Sequence, residues 1–321
     1  MSYNIIGKPT PKIDAGDRVT GKSVYGHDIE LPGMLHGAIL RAKYPSAIIK
    51  SIDVSKAKEL EGVECIITAE DVNTENLSYR KDHPLLKLEE VNCIRDEIAA
   101  VAAISKDIAK KALDLIEVDY VERRGIFDPV EALKESAPQI NKFSKGENGN
   151  KNISESFHYE HGDLEDEKKK STCIITRQYT LPKVTHACMA PSNITADYSR
   201  ENDQLTLYSS TQVPFLYQRE ISQVLKMEPS KIRVIQPVIG GGFGSKLDLH
   251  PFEPICALLS IKTGKPVQIL FNREEEFQYS AIRQSMVIDL TTGADKNGKF
   301  TFREVKIIKD NGAYTSWGAR T

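Results

Sequence analysis

The sequence predicts an α+β fold with mixed sheets, split into two domains by a polar connector. Three observations predict it. In the first third, apolar strand-like runs alternate with short helical stripes, once before Thr68 and again between Ile98 and Tyr120. Residues 141–170 then lose all hydrophobic periodicity. Beyond them strands and helices resume and end on a hairpin signal at Asn297-Gly298. A chain of 321 residues is long enough for about two domains, each with its own core.

Taken in order, Thr20-Gly21-Lys22 reads as a turn and Met34 to Arg41 as a strand. Asp53-Val54-Ser55 starts a helix whose apolar face is Ala57 and Leu60 and whose stop is Gly62. Val63 to Thr68 follows as a short apolar strand. Ile98 to Ile104 is a continuous apolar run, as a strand buried on both faces requires. Ser105 is its exit and the N-cap of a helix striped by Ile108, Ala112, Leu115 and Ile116. Glu117 to Tyr120 returns as a strand, which closes a compact mixed domain within residues 1–140.

The stretch 141–170 combines a polar, glycine-bearing run with acids followed by lysines, the pattern of a solvated linker ending in a short surface helix. The second domain, residues 171–321, opens with a strand at Cys173 to Thr176, and Leu205 to Ser210 is another. Leu216, Ile221, Val224 and Leu225 make a helical stripe over Phe215 to Met227, ended by Glu228-Pro229. Ile232 to Ile239 is a strand leading into Gly240-Gly241-Gly242-Phe243-Gly244-Ser245-Lys246. Pro254 opens a helix through Lys262, Val267 to Phe271 is a strand, and Met286 to Thr292 pairs with Lys299 to Lys309. The last residues, DNGAYTSWGART, end on a strand-to-loop transition, as a fragment would, or a sheet that another polypeptide completes.

Composition excludes several classes. With 43 basic and 45 acidic residues the net charge is −2, and no basic, aromatic stripe suggests nucleic acid. The N-terminus has no apolar signal core, and no run of apolar residues is long enough for a membrane span. Cys65, Cys93, Cys173, Cys188 and Cys256 are scattered singly, so neither a structural zinc site nor an iron–sulfur cluster is readable. They read as small core residues of a cytoplasmic protein.

The glycine loop is the strongest local signal. Glycines between a strand and a helix let backbone approach a ligand and aim N–H groups at anionic oxygens. Two familiar nucleotide loops fail against it. The phosphate loop needs Ser or Thr after its lysine, where this chain has Leu247, and the dinucleotide fingerprint needs glycine where it has Ser245. By local pattern alone, a tight structural turn competes equally with a ligand cradle.

Ser210-Thr211-Gln212-Val213-Pro214 precedes the loop, and NREEEF at Asn272 to Phe277 follows it. This succession resembles the molybdopterin-binding domain of the xanthine dehydrogenase/aldehyde oxidase family. RVTGKSVYGHDI, LHGAILRAKYPSAIIKSID and DEIAAVAAISKDIAKKAL resemble the α/β-hammerhead domain of the same family, so the likeness runs from about Gly7 to the last residue. Some bacterial members divide their molybdenum subunit over two polypeptides, and this chain is similar to the first of such a pair.

The resemblance implies an α/β-hammerhead domain followed by the first part of a molybdenum-cofactor-binding domain. It implies a molybdenum–pterin cofactor, of either the simple or the dinucleotide form, shared with a partner chain. Gln212 would hydrogen-bond an oxygen ligand of the metal, and Gly241, Gly242, Phe243 and Gly244 would lie beside it with the Phe243 N–H as a donor. Phe243 and Leu247 would border the substrate pocket. No residue of the chain is a metal ligand. The implied chemistry is hydroxylation of an aldehyde or nitrogen heterocycle with oxygen from water. The partners would be a second molybdopterin subunit or further C-terminal sequence, an iron–sulfur subunit and an FAD subunit.

The departures matter too. Xanthine-oxidising members carry glutamate after the loop lysine, where this chain has Leu247, so a carboxylate that could hydrogen-bond a purine is absent there. The family's frequent glutamate before proline is Ala190 here, and Asp248 or Glu253 is a candidate to substitute for the lost carboxylates. His186 reads as a buried structural histidine. The family's catalytic glutamate finds no match in the chain, so no residue is assigned as general base. Leu247 and Ala190 also suit a different reading, a non-catalytic paralogue or assembly scaffold that retains the fold. A glycine-rich or apolar surface near residues 240–248 and 310–321, covered by a partner, follows from the enzyme reading.

Overall fold

The computed structural model describes residues 3–78 and 80–316; the part of the sequence read as a terminal surface at residues 317–321 lies outside them. The first segment carries strands β1 (Leu35–Arg41), β2 (Ala47–Asp53), β3 (Val63–Thr68), β4 (Glu90–Val91), β5 (Glu97–Ala103) and β6 (Glu117–Glu122). The second carries β7 (Cys173–Leu181), β8 (Val184–Thr185), β9 (Asn193–Ser199), β10 (Gln204–Ser209), β11 (Ile232–Ile235), β12 (Val267–Leu270), β13 (Ile282–Arg283), β14 (Met286–Ala294) and β15 (Phe300–Lys309). The helices are α1 (Ala15–Val19), α2 (Ser55–Lys58), α3 (Lys106–Asp114), α4 (Pro129–Ala132), α5 (Leu164–Lys170), α6 (Pro214–Leu225), α7 (Phe252–Thr263) and α8 (Arg273–Tyr279).

Seven strands form one sheet in the order β11-β10-β9-β12-β1-β5-β3, so both halves of the sequence contribute to it. The junction is a parallel pairing of β1 with β12, Leu35 opposite Val267 and His36 opposite Gln268. β10 and β11 are also parallel, whereas β5 pairs antiparallel with both β1 and β3. The sheet is therefore mixed, as the sequence predicts.

The fully buried run of β5 has a direct cause. Ala100 and Ala102 face a core made with Ile194, Leu207, Ile221, Ile255 and Leu259, while Ala99, Val101 and Ala103 face Ala109 and Ala112 of α3. A strand with a packed layer on each side cannot alternate polar and apolar residues. Helix α3 starts where predicted: the Ser105 hydroxyl accepts the Ile108 N–H at 3.3 Å. Helix α7 buries most of its circumference, which explains a sequence apolar nearly all round.

Three-stranded sheets flank this core. One orders β4-β2-β6 and the other β15-β14-β7, the hairpin turning through Gly298 with the Gly298 N–H donating to Asp295 O at 3.0 Å. One face of the second sheet is polar, with Gln178 donating to Asp289 and Thr176 bonded to Thr291. Its other face leaves Ile175, Tyr179, Val305 and Ile307 exposed. All of β7 is exposed, so Cys173 is not the core residue the sequence suggested.

The connector does end in a solvated helix, α5, with acids in its first turn and lysines in its last, as the helix dipole favours. Its beginning is anchored: buried Asn141 donates to Asp82 O at 2.9 Å and Ala313 O at 3.1 Å. The chain's late residues dock at the same place. The Tyr314 ring stacks on His83 at 3.9 Å, and its hydroxyl donates to buried Asp96 at 2.8 Å. No helix among the described residues is long and apolar enough to cross a membrane.

Candidate cofactor-binding site

The Ser-Thr-Gln stretch begins where β10 leaves the sheet. Pro214 occupies the first turn of α6, where its missing N–H costs nothing, and the Thr211 hydroxyl accepts the Val213 N–H at 3.2 Å. Between them Gln212 is turned back towards the glycine loop. Its main-chain N–H donates to Lys246 O at 2.9 Å. Its side-chain Oε1 accepts the N–H of Gly244 at 3.0 Å and, more weakly, that of Lys246 at 3.4 Å.

The loop's shape follows from its composition. Gly241 and Gly244 both sit at φ +102°, a region that side chains avoid, and Phe243 between them is at +52°. Gly242 is required for space: a Cβ there would lie 2.5 Å from Gln212 Oε1 and 2.6 Å from its carboxamide carbon. The turn is closed by Ser245, whose N–H and hydroxyl both donate to Gly242 O, at 2.9 and 2.8 Å.

A third segment, His186 to Pro191, closes the other side. Arg273 donates through its two terminal nitrogens to Cys188 O and Met189 O, each at 2.7 Å. Lys246 Nζ donates to Ala190 O at 2.8 Å, and the Ala190 N–H donates to Gly240 O at 3.0 Å. Burial lowers the pKa of the Lys246 ammonium, which is spent on this local bond. His186 is half-buried rather than buried, with Nδ1 3.1 Å from Ala281 O.

The structure thus brings Gln212, Gly241, Gly242 and Gly244 together. The Phe243 side chain is 75% exposed and that of Leu247 is 40% exposed. Neither spare carboxylate lines this loop freely: Asp248 is bonded by the Ser316 hydroxyl, and Glu253 is buried beneath. Arg273, the arginine of NREEEF, had no role readable from sequence. Its work on two carbonyls depends on a segment more than eighty residues away.

The donor groups left over define what the site can hold. Among the described residues, no protein acceptor meets the N–H of Gly241, Gly242 or Phe243, or the Gln212 side-chain NH₂. The same residues contain no group of three His, Cys, Asp or Glu able to hold a metal ion. Peptide and amide donors without metal ligands fit an anionic, oxygen-bearing group that brings its metal already ligated.

Comparison with known proteins agrees. Residues 145–321 match the molybdopterin cofactor-binding domain, and residues 20–124 match the α/β-hammerhead domain of aldehyde oxidase and xanthine dehydrogenase. The chain belongs to the aldehyde oxidase and xanthine dehydrogenase family. It is 35% identical to the nicotinate dehydrogenase large molybdopterin subunit of Eubacterium barkeri, over 98% of this chain and 73% of that one. It is 29% identical to the xanthine dehydrogenase molybdenum-binding subunit of Escherichia coli, over 96% of this chain but 41% of that one. The solved CO dehydrogenase from Oligotropha carboxidovorans superposes with a TM-score of 0.85 at 28% identity, over 94% of this chain and 39% of that one. Within the family, then, this chain spans well under half of the larger relatives.

Proposed function

We propose that this chain supplies the hammerhead domain and one side of the molybdenum–pterin site of a hydroxylase, and that further molybdopterin-binding sequence supplies the other side. The observation that carries the reading is the orientation of Gln212. Its oxygen is committed to the glycine loop, so its NH₂ is held on the opposite side as a fixed donor.

In this reading Gln212 and the N–H groups of Gly241 to Phe243 hold the cofactor, which when bound supplies the redox chemistry of the hydroxylation. Donors fixed in advance need no reorganisation as charge develops on a bound oxygen. Phe243 offers an exposed ring for stacking an aromatic heterocycle or an aldehyde substituent, and Leu247 makes the neighbouring wall apolar. An apolar wall cannot bond a purine's polar edge, so substrates with fewer ring donors and acceptors fit better. The general base lies on another part of the enzyme, and electrons leave to iron–sulfur and FAD units on partner subunits. The intact clamp between Gln212 and the loop speaks against a non-catalytic scaffold, which has no need of it.

The test is a dye-linked oxidation assay on the native complex with aldehydes, nitrogen heterocycles and purines, run in ¹⁸O-labelled water. The expected result is label in the product of an aldehyde or a simple heterocycle and poor turnover of purines. Absence of oxidation of every class would overturn the reading.

A further inference from the structure

Glu253, the second residue of α7, is 4% exposed and lies beneath the site without touching the loop glycines. One carboxyl oxygen accepts the Ser209 hydroxyl at 2.8 Å, and the other accepts the His250 main-chain N–H at 2.9 Å. Ser209 is the last residue of β10, three positions before Gln212. The His250 ring stands with Nε2 2.9 Å from Ser245 O, and Ser245 closes the glycine turn. One buried carboxyl therefore links the stem of the Gln212 segment to the stem of the loop.

We propose that Glu253 is a positioning residue that sets Gln212 against the glycine loop by tying both stems from below. The proposal rests on the reading that these two segments hold the cofactor.

Physical cost supports it. Among the described residues no cation stands beside the carboxyl; burial raises its pKa most, and the bonds from His250 and Ser209 and the nearby Tyr217 hydroxyl offset only part of that. Burial, the largest cause, pushes the group up to about 8, so it carries a proton near neutrality. A buried acid with no ion partner stabilises a core less than an apolar side chain of similar volume. What it adds is two directed hydrogen bonds. A glutamine can supply both, accepting from His250 and donating to the Ser209 oxygen, whereas leucine can supply neither.

The test is hydrogen exchange followed by mass spectrometry on the full chain, with melting temperatures measured alongside, for wild type, Glu253→Leu, Glu253→Gln and Ser209→Ala. In Glu253→Leu and Ser209→Ala, peptides covering 210–214 and 240–248 exchange about tenfold faster or more, while β9 exchanges as in wild type. Glu253→Gln keeps the wild-type exchange of both segments, and the melting temperatures establish that each variant compared is folded. If Glu253→Leu does not fold, Ser209→Ala decides alone. Unchanged exchange of the two segments would overturn the proposal. So would equal loosening of β9, or a glutamine variant as loose as the leucine variant. Exchange is read without cofactor, so this inference and the functional reading fail separately.

Discussion

Gln212 accepts the Gly244 N–H through its side-chain oxygen at 3.0 Å, and that bond decides which half of the carboxamide is left for a ligand. The loop takes the acceptor and leaves the donor. Glutamate at this position would still accept both loop N–H groups but would have no NH₂. Gln212→Glu is therefore expected to melt within about 1 kcal/mol of wild type. Its turnover in the native complex should fall by about 10²–10³-fold, the usual effect of losing one fixed donor. Gln212→Ala should loosen the loop as well, which melting and turnover measured together will separate.

Gly242 has no room for a side chain. Its backbone is not in the left-handed region, so the obstacle to Gly242→Ala is contact with Gln212, 2.5 Å from the added carbon. Gln212 cannot swing aside without releasing Gly244 and Lys246. A loss of about 1–3 kcal/mol is expected in urea unfolding, with loss of pterin fluorescence from the purified complex. An alanine variant that keeps both would show that Gln212 is not clamped.

The buried Glu253 carries a pH signature. Below its ordinary value near 4.5 the carboxyl is protonated in both the folded and the unfolded chain. Between 4.5 and about 8 the unfolded chain releases the proton while the folded chain keeps it, so this group's contribution to stability falls as pH rises. The fall totals a few kcal/mol and levels off above 8. Melting curves of wild type and Glu253→Gln should therefore converge near pH 5 and separate towards pH 9, the glutamine variant being the more stable there. Parallel curves would place the carboxyl's pKa back in the ordinary range.

Phe243 stands largely in solvent, so removing its ring should barely touch the fold. Phe243→Ala is expected to stay within about 0.5 kcal/mol of wild type. Steady-state assays of the complex should show a raised KM for aromatic substrates with kcat less affected, the pattern of lost binding surface. An unchanged KM across the substrate panel would remove Phe243 from the pocket.

Local patterns in the sequence carried much of this. β5 was legible because burial on both faces leaves an unbroken apolar run, and α3 because Ser105 and a four-residue stripe agree. β9 was not read. Asn193 and Thr195 are buried polar residues within it, since neighbouring groups bond them, and the run looks like a loop. The joining of the two halves through β1 and β12 was equally hidden, because two short strands over two hundred residues apart carry no sign of each other. At the site, the motif named Gln212 and the glycines, but which way the carboxamide faces depends on Gly244, and the Glu253 tie depends on Ser209. Both are contacts between segments, which spacing along the chain does not encode.

Whether Gln212 holds the cofactor is read from the molybdenum and pterin content of the protein purified with its native partners, for wild type and Gln212→Ala. About one molybdenum and one pterin per chain are expected in wild type, with a marked loss of both in the variant. A wild-type complex without molybdenum, or a variant that holds its full complement and turns over normally, would contradict that role.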